Sequence, residues 1–102
     1  MITTTAFKIL THQQWADFER ERVFRGAPID IADGYIHLST TEQLEGTLAK
    51  HFAGQTDLML VEVDLIRLGD AIRWEEARGG EMFPHLYAEL PIDVVVSLQR
   101  RD

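Results

Sequence analysis

Three short stretches of this 102-residue chain put chemically useful side chains on one face of an extended segment. In Tyr35-Ile36-His37-Leu38-Ser39 the apolar residues alternate, so Ile36 and Leu38 share one face and Tyr35, His37 and Ser39 the other. In Ala71-Ile72-Arg73-Trp74-Glu75 the same alternation sets Ile72 and Trp74 toward a core and Arg73 and Glu75 away from it. Phe83-Pro84-His85-Leu86-Tyr87, read as extended, aligns His85 with Tyr87 opposite Leu86. Imidazoles, a carboxylate, phenols and a hydroxyl are the parts needed for acid–base work or for orienting a ligand in a polar pocket. Each residue taken alone is equally served by packing or ordinary hydrogen bonding on a half-exposed strand.

Other chemistries find less support. His37 and Ser39 cannot form a nucleophilic dyad within one strand, because alternate side chains point in parallel, which makes Ser39 a poor nucleophile. His37, His85 and Glu75 are ligand types that zinc or iron accepts, but no pair has the close helical spacing of a metal motif, and no metal centre is expected. Gly79-Gly80 lacks the Lys-Ser/Thr of a phosphate-binding loop. His12 and His51 fall on expected helices, where solvent exposure accounts for them.

The elements that must position these groups follow from local pattern. Ala6-Phe7-Lys8-Ile9-Leu10 reads as a first strand, with Lys8 opposite Phe7 and Ile9. Thr11 and Gln14 form a capping box, opening a helix from about Gln13 to about Phe24 that Gly26 terminates. Asp33-Gly34 is a turn feeding the Tyr35–Ser39 strand. Two further capping boxes compete, Ser39 with Glu42 and Thr40 with Gln43; we favour Thr40, which leaves the Ser39 hydroxyl free to face a ligand. Leu44, Leu48 and Phe52 then give an apolar helical stripe ending at Gly54.

Leu58–Val63 is the best candidate for a buried central strand, Asp64–Leu68 for a single helical or irregular turn, residues 76–81 for an exposed loop, and Val94–Leu98 for a final strand. The order is roughly β-α-β-α-β-β-β-β. Two early helices followed by closely spaced strands indicate an α+β fold with mostly antiparallel pairing, in a single domain spanning residues 1–102.

Composition narrows the partners. Hydrophobic residues at 45% and charged residues at 26% are those of an ordinary globular domain. Ten basic against seventeen acidic residues leave a net charge of −7, which disfavours nucleic acid and anionic lipid. Arg20, Arg22 and Arg25 form a local basic cluster diluted by Glu19 and Glu21. No run is long enough for a membrane span, no signal peptide is evident at Met1–Thr5, and there is no cysteine, so a cytoplasmic location is expected.

Phe7-Lys8-Ile9-Leu10, Trp15, Asp30 to Thr40 with Gln43, and Phe83-Pro84-His85-Leu86-Tyr87 together resemble the bacterial family of domain of unknown function 952. That family is similar in fold to the ADP-ribosyltransferases, whose split, mostly antiparallel sheet holds NAD in a cleft. The resemblance implies that His37 holds the NAD ribose and that Ser39 lies near the nicotinamide amide. It also implies a ring stacking on the nicotinamide, Tyr35 or Tyr87, and a carboxylate stabilising the oxocarbenium-like charge. Glu75 fits the family pattern for that acid better than Glu89 does.

The expected site therefore comprises His37, Glu75 and His85 as catalytic groups and Lys8, Tyr35, Ser39 and Tyr87 as nucleotide-binding groups, with Lys8 meeting a phosphate. The expected activity is binding of NAD or a related nucleotide, with transfer or cleavage of ADP-ribose. The alternatives are a non-catalytic small-ligand-binding or interaction module and, third, a metal-dependent hydrolase.

Overall fold

The computed structural model describes residues 2–102, apart from the side chain of Arg78. Strand β1 (Thr5–Thr11) pairs antiparallel with β4 (Leu58–Asp64), which pairs antiparallel with β8 (Val95–Arg101), so β4 is the central strand of this sheet. Leu58, Leu60, Val61 and Val63 are almost fully buried, as the apolar run of β4 requires.

A second antiparallel sheet has the order β3-β6-β5, formed by Ile36–His37, Met82–Leu86 and Ile72–Glu76. The two sheets meet where Phe7 and Ser39 exchange backbone hydrogen bonds of 2.7 and 2.9 Å. A two-stranded ribbon, β2 (Val23–Phe24) with β7 (Leu90–Pro91), completes an α+β fold built from antiparallel sheets.

Helices close the layers. Helix α1 (His12–Glu21) begins at the Thr11–Gln14 capping box and sends Phe18 into the core with Leu10, Phe24, Leu86 and Leu90. It is shorter than the sequence predicts. Arg22 adopts a left-handed conformation at φ 68°, ending the helix and freeing Val23–Phe24 to pair with β7. Helix α3 (Thr41–His51) is capped by Thr40 with Gln43, as expected, and packs Leu44 and Leu48 over Ile9, Leu58 and Leu60. Helix α4 (Leu65–Leu68) is the expected single turn, capped by Asp64.

The segment read as a turn is instead a helix, α2 (Pro28–Asp33), closed by Gly34 at φ 89°. Its signals are Pro28 at the first helical position and Asp30, whose carboxylate accepts the Ala27 N–H at 2.7 Å. A second correction concerns Trp74. Alternation places it on the apolar face, yet it is 41% exposed, because β5 is the outer strand of its sheet.

Candidate functional site

The register of the second sheet explains why the three polar faces converge. His37 on β3 stands opposite His85 on β6, and His85 stands opposite Arg73 on β5. Tyr35, Tyr87 and Glu75 flank that line at alternate positions, so they share its face.

The rings are in mutual contact. Tyr35 stacks on His85 with centroids 4.0 Å apart and planes 25° apart, and lies 4.6 Å from the His37 ring and 5.3 Å from that of Tyr87. Glu75 is the carboxylate of the group. Its Oε1 lies 2.8 Å from Nδ1 of His85, its diagonal cross-strand neighbour, and accepts the hydroxyl of Tyr87, just past the end of β6, at 2.8 Å. These hydrogen bonds, the one from His85 first, hold the Glu75 carboxyl below its usual range, and the same contact raises the Tyr87 phenol. Desolvation and then the charge of Asp33 raise the Tyr35 phenol. Glu89 is engaged elsewhere, on the exposed side chain of Arg25 at 3.0 Å.

Beneath His37 lies a buried charge network absent from the sequence reading. The Lys8 ammonium contacts Asp30 Oδ1 at 3.0 Å and Oδ2 at 2.9 Å and donates to the His37 carbonyl at 3.2 Å. Asp30 Oδ1 also accepts the His37 backbone N–H at 3.0 Å and lies 2.6 Å from Nδ1 of the ring. Nε2 of His37 faces Asp33 Oδ2 at 2.9 Å.

Burial alone would raise the Asp30 carboxyl, but the His37 hydrogen bond and the Lys8 charge hold it at about 2. For Lys8 burial prevails over Asp30, so the ammonium is held below its usual range. Lys8, expected to meet a phosphate, has its three ammonium donors directed inside the protein, to Asp30 and the His37 carbonyl. Asp30 and Asp33 are the site residues that sequence reasoning missed. The available signals were the Pro28–Gly34 helix punctuation and the four-residue spacing from Asp33 to His37.

Two hollows border this cluster. A cleft of about 230 Å³ is lined by Lys8, His37, Ser39 and His85, with apolar walls that include Phe7 and Phe83. A second hollow of about 290 Å³ includes Tyr35, Tyr87 and Arg25 in its lining. The Tyr35–His85 stack thus joins a residue of one hollow to a residue of the other, with Glu75 behind it. Ser39 does not offer a free hydroxyl even though Thr40 provides the cap: its Oγ lies 2.9 Å from Thr47 Oγ1. The Arg73 guanidinium sits 4.4 Å from the centre of the Tyr87 ring, so one face of that ring is already covered. His12 and His51 are exposed at the ends of their helices, although His51 also borders the cleft.

Among the described residues no cluster of three or more His, Asp or Glu has an arrangement that would hold a metal ion, and no helix is long and apolar enough to cross a membrane.

Comparison with known proteins agrees with the sequence resemblance at the level of family. No curated protein matches the chain. The crystal structure of protein CC0527 from Caulobacter crescentus is similar, with a TM-score of 0.91, 42% identity, and coverage of 94% of this chain and 84% of that one. The solution NMR structure of CC0527 superposes with a TM-score of 0.83 at 41% identity, covering 93% of this chain and 82% of that one. The family model described as protein of unknown function (DUF952) matches residues 9–98, and the chain belongs to that family.

Proposed function

We propose that this protein binds NAD or a related nucleotide as substrate, with the nicotinamide–ribose end at the His37/His85 cleft, and that it cleaves or transfers ADP-ribose. The observation that carries this reading is the Tyr35–His85 stack, with Glu75 held 2.8 Å from His85 Nδ1. Aromatic faces beside a carboxylate suit a cationic pyridinium ring, and the same negative charge favours the oxocarbenium-like state formed as nicotinamide departs. The cleft is below the roughly 300–1,000 Å³ of sites that enclose whole small ligands, so it is suited to one end of a dinucleotide, leaving the remainder on the surface.

In this reading His37 reaches the ribose through Nε2, exchanging its contact with the half-exposed Asp33 for a ribose hydroxyl. Tyr35 backs the His85 ring from the second hollow, and Phe7 and Phe83 supply the aromatic wall of the cleft itself. The split arrangement of two antiparallel sheets joined at Phe7–Ser39 is compatible with an ADP-ribosyltransferase-like fold.

Calorimetric titration of wild type and His37→Ala with NAD and with ADP-ribose tests the proposal. Binding by the wild type and its loss in the variant are expected. No heat of binding at millimolar nucleotide would overturn it. One observation favours a second reading, a non-catalytic ligand-binding module: both ring nitrogens of His37 are already satisfied by Asp30 and Asp33. That reading predicts nucleotide or metabolite binding without nicotinamide release.

A further inference from the structure

Glu75 lines neither hollow, and its contacts point to a role other than touching the ribose. His85 is only 4% exposed, yet it borders the cleft. A carboxylate can only accept, so the 2.8 Å contact with Glu75 Oε1 requires the proton of a neutral His85 ring to reside on Nδ1. Nε2 is then the nitrogen with the lone pair, and no group among the described residues hydrogen-bonds to it. Tyr35 stacked at 4.0 Å restrains the ring plane, and the Tyr87 hydroxyl on the same Oε1 keeps the carboxylate ionised. Such a carboxylate–imidazole pair fixes the tautomer and stabilises the imidazolium that forms when the second nitrogen accepts a proton.

We propose that His85 is the general base of the cleft, that Glu75 is its positioning residue, and that the acceptor is an oxygen nucleophile, either water or an alcohol. This rests on the nucleotide reading for the donor and adds the class of acceptor. A neutral O–H must surrender its proton as it attacks, whereas a carboxylate acceptor needs no base. In the step, the acceptor oxygen forms a bond to the anomeric carbon of the ribose while the bond from that carbon to the pyridinium nitrogen breaks. The electron pair of the broken bond neutralises the pyridinium, so nicotinamide leaves uncharged. The O–H proton passes to Nε2 of His85 and then to solvent. Atoms and charge balance without a metal or a redox partner.

The test has two arms that separate this proposal from the nucleotide reading. In the first, the ring nitrogens of His85 are observed by 15N-resolved NMR at mildly alkaline pH. A protonated Nδ1 with an unprotonated Nε2 in the wild type is expected, together with loss of that tautomeric preference in Glu75→Ala. A proton resident on Nε2 in the wild type would overturn the dyad whatever the ligand. In the second, nicotinamide release from NAD is followed in wild type, His85→Gln and Glu75→Gln, with NAD affinity measured alongside. His85→Gln is expected to bind NAD but release nicotinamide roughly 10²–10⁴-fold more slowly, the usual range for losing a general base, and to lose the alkaline rise of the pH–rate profile.

Equal release by wild type and His85→Gln, or binding without release by the wild type, would overturn the base assignment while leaving nucleotide binding standing. Absence of NAD binding would overturn the donor and with it the acceptor assignment, leaving the tautomer measurement to decide the dyad alone. Product formed in the presence of methanol distinguishes an alcohol acceptor from water by the O-methyl riboside it yields.

Discussion

His37 and His85 face each other across the β3–β6 pair with ring centroids 5.7 Å apart, and each has a carboxylate at Nδ1, Asp30 at 2.6 Å and Glu75 at 2.8 Å. The two pairs differ in what surrounds them. Asp30 is buried and holds Lys8, the Ala27 N–H and the His37 backbone besides the ring, whereas Glu75 is half-exposed and shares its oxygen only with Tyr87. The first pair anchors the site to the fold, and the second orients a ring that borders the cleft.

Removing the anchor should be costly. Asp30→Asn leaves the Lys8 ammonium buried without its counter-charge and weakens the hold on Ala27 and His37, so a loss of about 3–5 kcal/mol in urea unfolding is expected. A loss below about 1 kcal/mol, the scale of an exposed pair, would contradict a buried network.

The same residue sets an acid limit. Asp30 is depressed from its usual 3.8 to about 2 in the folded protein, so it contributes stability that is complete above its unfolded value and disappears as pH falls through its folded value. About 2 kcal/mol should be lost between pH 5 and 2 through this group and be missing from the pH dependence of Asp30→Asn. Parallel stability–pH curves for the two proteins would show that the pair carries no such linkage.

Thr40 ties helix α3 to the site, because its hydroxyl accepts the Gln43 N–H while the Gln43 amide reaches the Met82 carbonyl on β6. Thr40→Ala should cost about 1 kcal/mol, the usual worth of an N-cap. Thermal unfolding measures it. An unchanged midpoint would mean that the tertiary contacts alone define the helix start.

In the proposed reading the functional acid is Glu75, which contacts His85, and not Glu89, which pairs with Arg25. Glu75→Gln should retain nucleotide binding and lose nicotinamide release, whereas Glu89→Gln gives up only an exposed ion pair with Arg25 and should alter neither. Comparable losses of release in the two variants would remove the distinction.

Much of the scaffold was legible because it rests on local physics. Alternation identified β1 and β6, a nearly continuous apolar run identified β4, and the capping boxes at Thr11 and Thr40 located the starts of α1 and α3. The shared face of Arg73, Glu75, His85 and Tyr87 followed from period-two geometry, and the register of β5 with β6 brings those residues together.

What escaped was set by distant contacts. The β2–β7 ribbon depends on pairing across the chain, and Trp74 is exposed because its strand lies at a sheet edge. Alternation put Lys8 on the polar face of its strand, but its burial on Asp30 depends on where helix α2 comes to lie, which the local pattern does not contain. Helix α2 is a single short turn and a half without a long apolar stripe, so the Asp33-Gly34 signal read as a turn when it marks a helix end.

The most direct measurement is a backbone and side-chain NMR shift map of the 15N-labelled protein titrated with NAD to millimolar concentration. Saturable shifts centred on Tyr35, His37 and His85 are expected, extending to the lining of the cleft at Ser39. No shifts at that concentration, or shifts confined to residues away from this face, would contradict it.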